Sequence, residues 1–126
     1  MPEKPRRASQ PADFMNEQRA KKIITAIESK IGFDGDLVKT GVGDSNLYTH
    51  SNASFGLLDY VLGNEQRARK IRTAIESKIG FDGDLVKWGV GDSNLYTYPN
   101  ASFGLLDIAG KLKQIYDERK QNLGGK

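Results

Sequence analysis

The sequence predicts an α+β fold in which three helices pack with two β-hairpins, and three features of the chain lead there. The first is repetition: residues 16–63 and 64–111 spell nearly the same 48-residue segment without a gap, differing at nine positions. The second is that each copy opens with Ala and Ile at three- and four-residue spacing, the stripe of an amphipathic helix. The third is that each copy then turns to short Leu, Val, Tyr and Thr runs separated by Gly, Asp and Ser, as hairpins do. Internal repeats decide architecture before any single motif. The resulting order is α-ββ-α-ββ-α with pseudo-twofold symmetry. A lone hairpin is marginal in water, so the two are expected to join into one four-stranded antiparallel sheet.

Composition bounds what such a chain can be. With 126 residues, 37% of them hydrophobic, it makes one small domain, or two half-domains sharing a core. Cysteine is absent, which removes disulfides, thiolate metal sites and cysteine nucleophiles. No apolar run reaches the roughly 20 residues of a membrane span, and the N-terminus has no signal-peptide stretch. The expectation is a soluble, cytoplasmic protein. The net charge is +3, and the excess sits at the ends: residues 1–15 carry +1, the two copies −1 and +1, residues 112–126 +2. A nearly neutral body argues against a broad nucleic-acid surface, which needs a basic face on the folded part.

Residues 1–12 hold three of the four prolines and no apolar periodicity, and read as a flexible basic arm. Arg6-Arg7-Ala8-Ser9 in it has the form of a basophilic kinase site. The folded domain is expected over 13–121. Its first helix is capped by Asp13, buries Ala20, Ile23, Ile27 and Ile31, and stops at Gly32; the twin stripe is Ala68, Ile71, Ile75 and Ile79, stopping at Gly80. Asp34-Gly35 marks a turn. Leu37-Val38 and Leu47-Tyr48-Thr49 are then expected to pair across a tip made of Gly41, Gly43, Asp44 and Ser45, with a twin over 85–97. Ser54 and Ser102 suit the N-cap of the following helix. Between the copies, residues 55–79 nearly keep one apolar stripe, which favours a continuous or kinked helix over a break at Gly63-Asn64; a helical glycine costs about 1 kcal/mol relative to alanine. The last helix spans 103–121, with Leu105, Ala109, Leu112 and Ile115 or Tyr116 facing inward, and 122–126 form a tail.

The nine differences fall at 21/69, 24/72, 40/88, 50/98, 51/99 and 60–63/108–111. Ile24 with Thr40 in one copy becomes Arg72 with Trp88 in the other, a paired change that suggests an arginine stacked on an indole. The run 60–63/108–111 diverges as the end units of a repeat array do. Near-identity elsewhere is the mark of a recent tandem fusion, or of an engineered or computationally generated chain.

Candidate chemistry is sparse. Asp34, Asp36 and Asp44, with twins Asp82, Asp84 and Asp92, begin like a calcium loop, but Val38 stands where a ligand is needed and no bidentate Glu follows. Turn chemistry explains them. The run from Gly41 to Asn46 fits neither the dinucleotide nor the P-loop spacing. Glu28-Ser29-Lys30 and Glu76-Ser77-Lys78 lie on helices, where residues two apart diverge, so no nuclease motif forms. His50 is the single histidine and its twin is Tyr98, which defeats a duplicated catalytic site.

Two surfaces remain. Arg67, Arg69, Lys70 and Arg72, echoed by Arg19, Lys21 and Lys22, place cations on helices that can grip phosphates; Glu65 and Glu76 at four-residue spacing also suit plain surface ion pairs. Trp88, Tyr48, Tyr96 and Tyr98 supply stacking faces on the hairpins. The sequence therefore points to a non-enzymatic structural or interaction module that associates with itself through the aromatic surface, with no metal, cofactor or membrane. The alternative is a small nucleic-acid-binding protein using the basic helices.

Overall fold

The computed structural model describes residues 16–124, with side chains as far as residue 122. The proline-rich arm, the Asp13 cap and the extreme C-terminal tail lie outside the described residues. The fold is α+β. Helix α1 (16–26) ends in a π-turn, Ile27–Ile31. Strands β1 (Phe33–Asp34) and β2 (Leu37–Val38) follow, then α2 (Thr49–Leu62) and α3 (Glu65–Ala74). A second π-turn, Ile75–Ile79, leads to β3 (Phe81–Asp82) and β4 (Leu85–Val86), and the chain ends with α4 (Thr97–Asp107) and α5 (Ala109–Gly124).

Glycine stops the first helix of each copy as expected. Gly32 and Gly80 take φ of 84° and 85° and donate to the Ile27 and Ile75 carbonyls at 2.9 Å, five residues back, which closes the widened π-turn. Each hairpin is then a minimal one. Phe33 pairs with Val38 and Asp34 with Leu37, around a two-residue loop whose Gly35 has φ of 65°; β3 and β4 repeat the register.

Among the described residues the longer hairpin expected from Leu37-Val38 to Leu47-Thr49 does not form, and neither does a four-stranded sheet: the two-stranded sheets are separate. A side chain explains this. Asn52, fully buried, accepts from Val38 N at 2.6 Å and donates through Nδ2 to the carbonyls of Val38 (3.0 Å) and Tyr48 (2.9 Å). Its amide occupies the free edge of β2 where another strand would have paired, and it does so from inside α2, which starts at Thr49 and not at the Ser54 cap. Asn100 does the same for Val86 and Tyr96, so α4 starts at Thr97 rather than at Ser102.

The helix expected across 55–79 is broken. Gly63 leaves helical geometry (φ −123°, ψ −99°), and Asn64 caps α3 by accepting from Arg67 N at 3.0 Å. Asp59, fully buried, holds the corner: its carboxylate accepts from Asn64 N and, through both oxygens, from Arg67 Nε and Nη2 at 2.7 and 2.9 Å. A side chain at position 63 would put Cβ 2.5 Å from the Asp59 Oδ1, so the corner requires glycine. The C-terminal helix also breaks, at Ile108. Gly110 then lets α5 pass the Tyr60 hydroxyl, and α5 returns to α2 and α1. Among the described residues five helices replace the three expected.

The core lies between α2, α3 and α4, with Leu37, Ile71, Ile75, Val86 and Leu106 fully buried. In α3 the predicted stripe is correct. In α1, Ala20, Ile27 and Ile31 are partly buried as predicted, but Ile24 is buried and Ile23 47% exposed, because α1 packs on the α2–α3 corner near Gly63. Likewise Leu106, not Leu105, is the buried leucine of α4.

Candidate interaction surface

The two copies meet where α2 lies against α3 and α4 and where one short backbone bridge joins them among the described residues. Thr49 N donates to the Trp88 carbonyl at 2.7 Å and Val90 N to the Leu47 carbonyl at 3.0 Å, and Tyr48 faces Gly89 in antiparallel register. The Thr49 hydroxyl adds a bond to the Lys87 carbonyl. The approach is close: a Cβ on Gly89 would lie 2.7 Å from both the Leu47 carbonyl oxygen and Tyr48 Cδ1. The bridge is not reciprocal. A twofold axis would also pair Tyr96 with Gly41, and no such bridge is present among the described residues.

Over this joint sits an aromatic cluster. Trp88 packs against Tyr48 (ring centroids 5.2 Å apart), His50 (5.3 Å), Tyr96 (5.1 Å, edge to face) and Tyr98 (6.0 Å), and His50 also lies 4.7 Å from Tyr98. The structure thus brings Trp88, Tyr48, Tyr96 and Tyr98 together. It adds His50, the twin of Tyr98. Burial holds the His50 imidazole below its ordinary pKa, and its buried Nδ1 has no hydrogen-bond partner among the described residues. Tyr96 and Tyr98 remain 50% and 53% exposed, next to the exposed Leu95. The outer half of the cluster is therefore an apolar surface with hydroxyl rims.

Trp88 stands out among the nine differences, and its partners are His50 and Tyr98 rather than the expected Arg72. All three of 24/72, 40/88 and 50/98 change, but Trp88 touches His50 and Tyr98. Arg72 does not stack on Trp88: the cations seated on rings among the described residues are Arg67 on Phe33 and Phe55, Arg69 on Tyr60, and Lys120 on Tyr116.

The basic candidates are largely engaged. Arg67 is shared by Asp59 and Glu28, Arg69 is paired with Glu65 and bonds the Tyr60 hydroxyl, Lys21 is paired with Glu17, and Arg19 donates to Asn16. Lys22, Lys70 and Arg72 have no ion pair among the described residues. Arg69 and Lys70 line a shallow open depression with Asp36, Gln66 and Thr73. The Asp-rich loops behave as turns. Asp44 and Asp92 accept from the backbone and side-chain amides of Asn46 and Asn94. Among the described residues no three acidic or histidine side chains gather as a metal site, and no helix is long and apolar enough to cross a membrane.

The chain matches no family model, no curated protein and no solved structure.

Proposed function

We propose that the chain is a non-enzymatic structural and interaction module, built from two head-to-tail copies of one unit, that associates through the surface around Trp88. The carrying observation is the half-exposed Tyr96–Tyr98 face, held rigid by stacking on Trp88 and His50. Tyr and Trp give large contact area at low entropic cost, which is why such faces serve recognition. The one-directional joint between the copies supports a translational rather than a twofold relation.

The nucleic-acid reading has less in its favour, because binding phosphates would mean exchanging existing carboxylate partners of Arg67, Arg69 and Lys21. Retention on mixed DNA at low salt, lost steeply as salt rises, would replace the proposal.

The direct test uses Trp88, the single tryptophan. Sedimentation velocity and Trp emission are followed together as concentration rises. Association with a blue-shifted emission is expected, weakened about tenfold by Tyr98→Ser, which removes an exposed ring from the face. A monomer with unchanged emission at every concentration would refute it.

A further inference from the structure

The two copies are nearly identical in sequence but not in burial, and the differences share one direction. At the joint, copy one offers Leu47-Tyr48-Thr49 and copy two receives them on Trp88-Gly89-Val90. The twin of the first segment, Leu95-Tyr96-Thr97, has the same three residues and is exposed, whereas Thr49 is fully buried. The twin of the second, Thr40-Gly41-Val42, keeps the glycine. Among the described residues nothing comes within 4 Å of a Cβ built on Gly41, and Val42 is 75% exposed.

The helices repeat the pattern. Gly56 of α2 admits Leu106 of α4, whose Cδ1 would lie 3.1 Å from an added Cβ. The twin of Gly56, Gly104, has no described residue within 4 Å of an added Cβ and stands beside Leu105, which is 46% exposed. The twin of Leu106, Leu58, is only partly buried. Among the described residues, each half of the joint thus recurs at the other end of the chain, exposed or only partly covered.

We infer that a second copy of this chain docks head to tail, with Leu95–Thr97 and Gly104 of one molecule receiving Thr40–Val42 and Leu58 of the next. The intermolecular contact repeats the joint already made inside the chain. It rests on the self-association proposed above and specifies its geometry. Such a contact is heterologous, so it propagates into an open array unless its rotation closes a ring. Thr40 in place of Trp88 removes the central ring from the repeated contact, which makes it weaker than the internal one.

Sedimentation velocity on the full chain, from about 10 μM to about 1 mM, tests this with two substitutions away from the internal joint. Gly41→Val fills space that is open in the monomer but would strike the incoming Leu95 carbonyl. Association at least tenfold weaker than that of the unaltered chain is expected, with the circular dichroism spectrum and melting temperature retained. Thr40→Trp restores the missing ring and is expected to tighten association about three- to tenfold. Association that weakens with Tyr98→Ser but ignores both substitutions would overturn this geometry and leave the aromatic surface as the contact. If even Thr40→Trp stays monomeric at the highest concentration, the head-to-tail contact is overturned.

Discussion

Gly89 and Gly41 occupy the same place in the repeated unit, and the sequence gives no way to tell them apart. The structure does, because only Gly89 has a neighbouring backbone 2.7 Å from where a Cβ would stand. Neither has a positive φ, so the constraint is one of space and not of backbone strain. Gly89→Ala forces the Leu47–Thr49 segment away and is expected to cost about 2 kcal/mol, as overpacking does. Gly41→Ala should change stability by less than about 0.5 kcal/mol, like most exposed substitutions. Urea denaturation of the two variants makes the comparison, and equal losses would contradict the joint. The same scale shows why Trp88 was legible and its partner was not. A tryptophan that replaces threonine in an otherwise copied unit stands out in the sequence. Its contact with His50, 38 positions earlier, exists only once the copies are docked.

At the scale of elements, helix stops and turns were readable because they depend on neighbours in the chain. Gly32, Gly80 and the Asp34-Gly35 turn behave as local chemistry demands. The long hairpin, the Ser54 cap and the continuous helix were misread for one reason: a buried side chain took over a backbone partner. Asn52 closes the edge of β2 from within α2, and Asp59 fixes the Gly63-Asn64 corner. In sequence these are a polar residue near a serine and an acid near a helix end, with nothing to mark their burial. The twins provide an internal comparison. Asn52 is fully buried and Asn100 only partly so. Asn52→Ala strands two backbone groups of Val38 without access to water and is expected to cost about 3 kcal/mol, against about 1 kcal/mol for Asn100→Ala, where water can substitute. Chemical denaturation measures both, and an equal or reversed order would contradict the assignment.

For the whole molecule, the long-range fastening outside the core is α5 against α1. Glu17 accepts hydrogen bonds from the Tyr116 hydroxyl and from Lys120 at 2.9 Å, and pairs with Lys21. The Tyr116 bond, then the lysines, hold its pKa at about 2, below the ordinary 4.5. Because the folded value is depressed, this stabilisation is fully present above the unfolded pKa and is lost as pH falls from 4.5 towards about 2. Glu17→Gln should lose less stability than the unaltered chain over that interval, by on the order of 1 kcal/mol once surface screening is allowed for. Urea midpoints at the two ends of the interval test it, and parallel losses would mean that Glu17 does not fasten α5. A burial pattern that differs between near-identical copies also belongs to this scale, and it is what the head-to-tail contact is drawn from.

The sequence by itself determined that one unit occurs twice, that the chain is α+β, where the first helices stop, and which aromatic side chains were available to a surface. All of these follow from spacing, turn chemistry and composition, which act over a few residues. Only the tertiary structure decided that the hairpins stay apart, that five helices form among the described residues, that Lys21, Arg67 and Arg69 already hold carboxylate partners, and that Trp88 meets His50. These depend on which polar groups are buried and on which copy covers the other. Two nearly identical segments become physically different only when one of them lies under its neighbour.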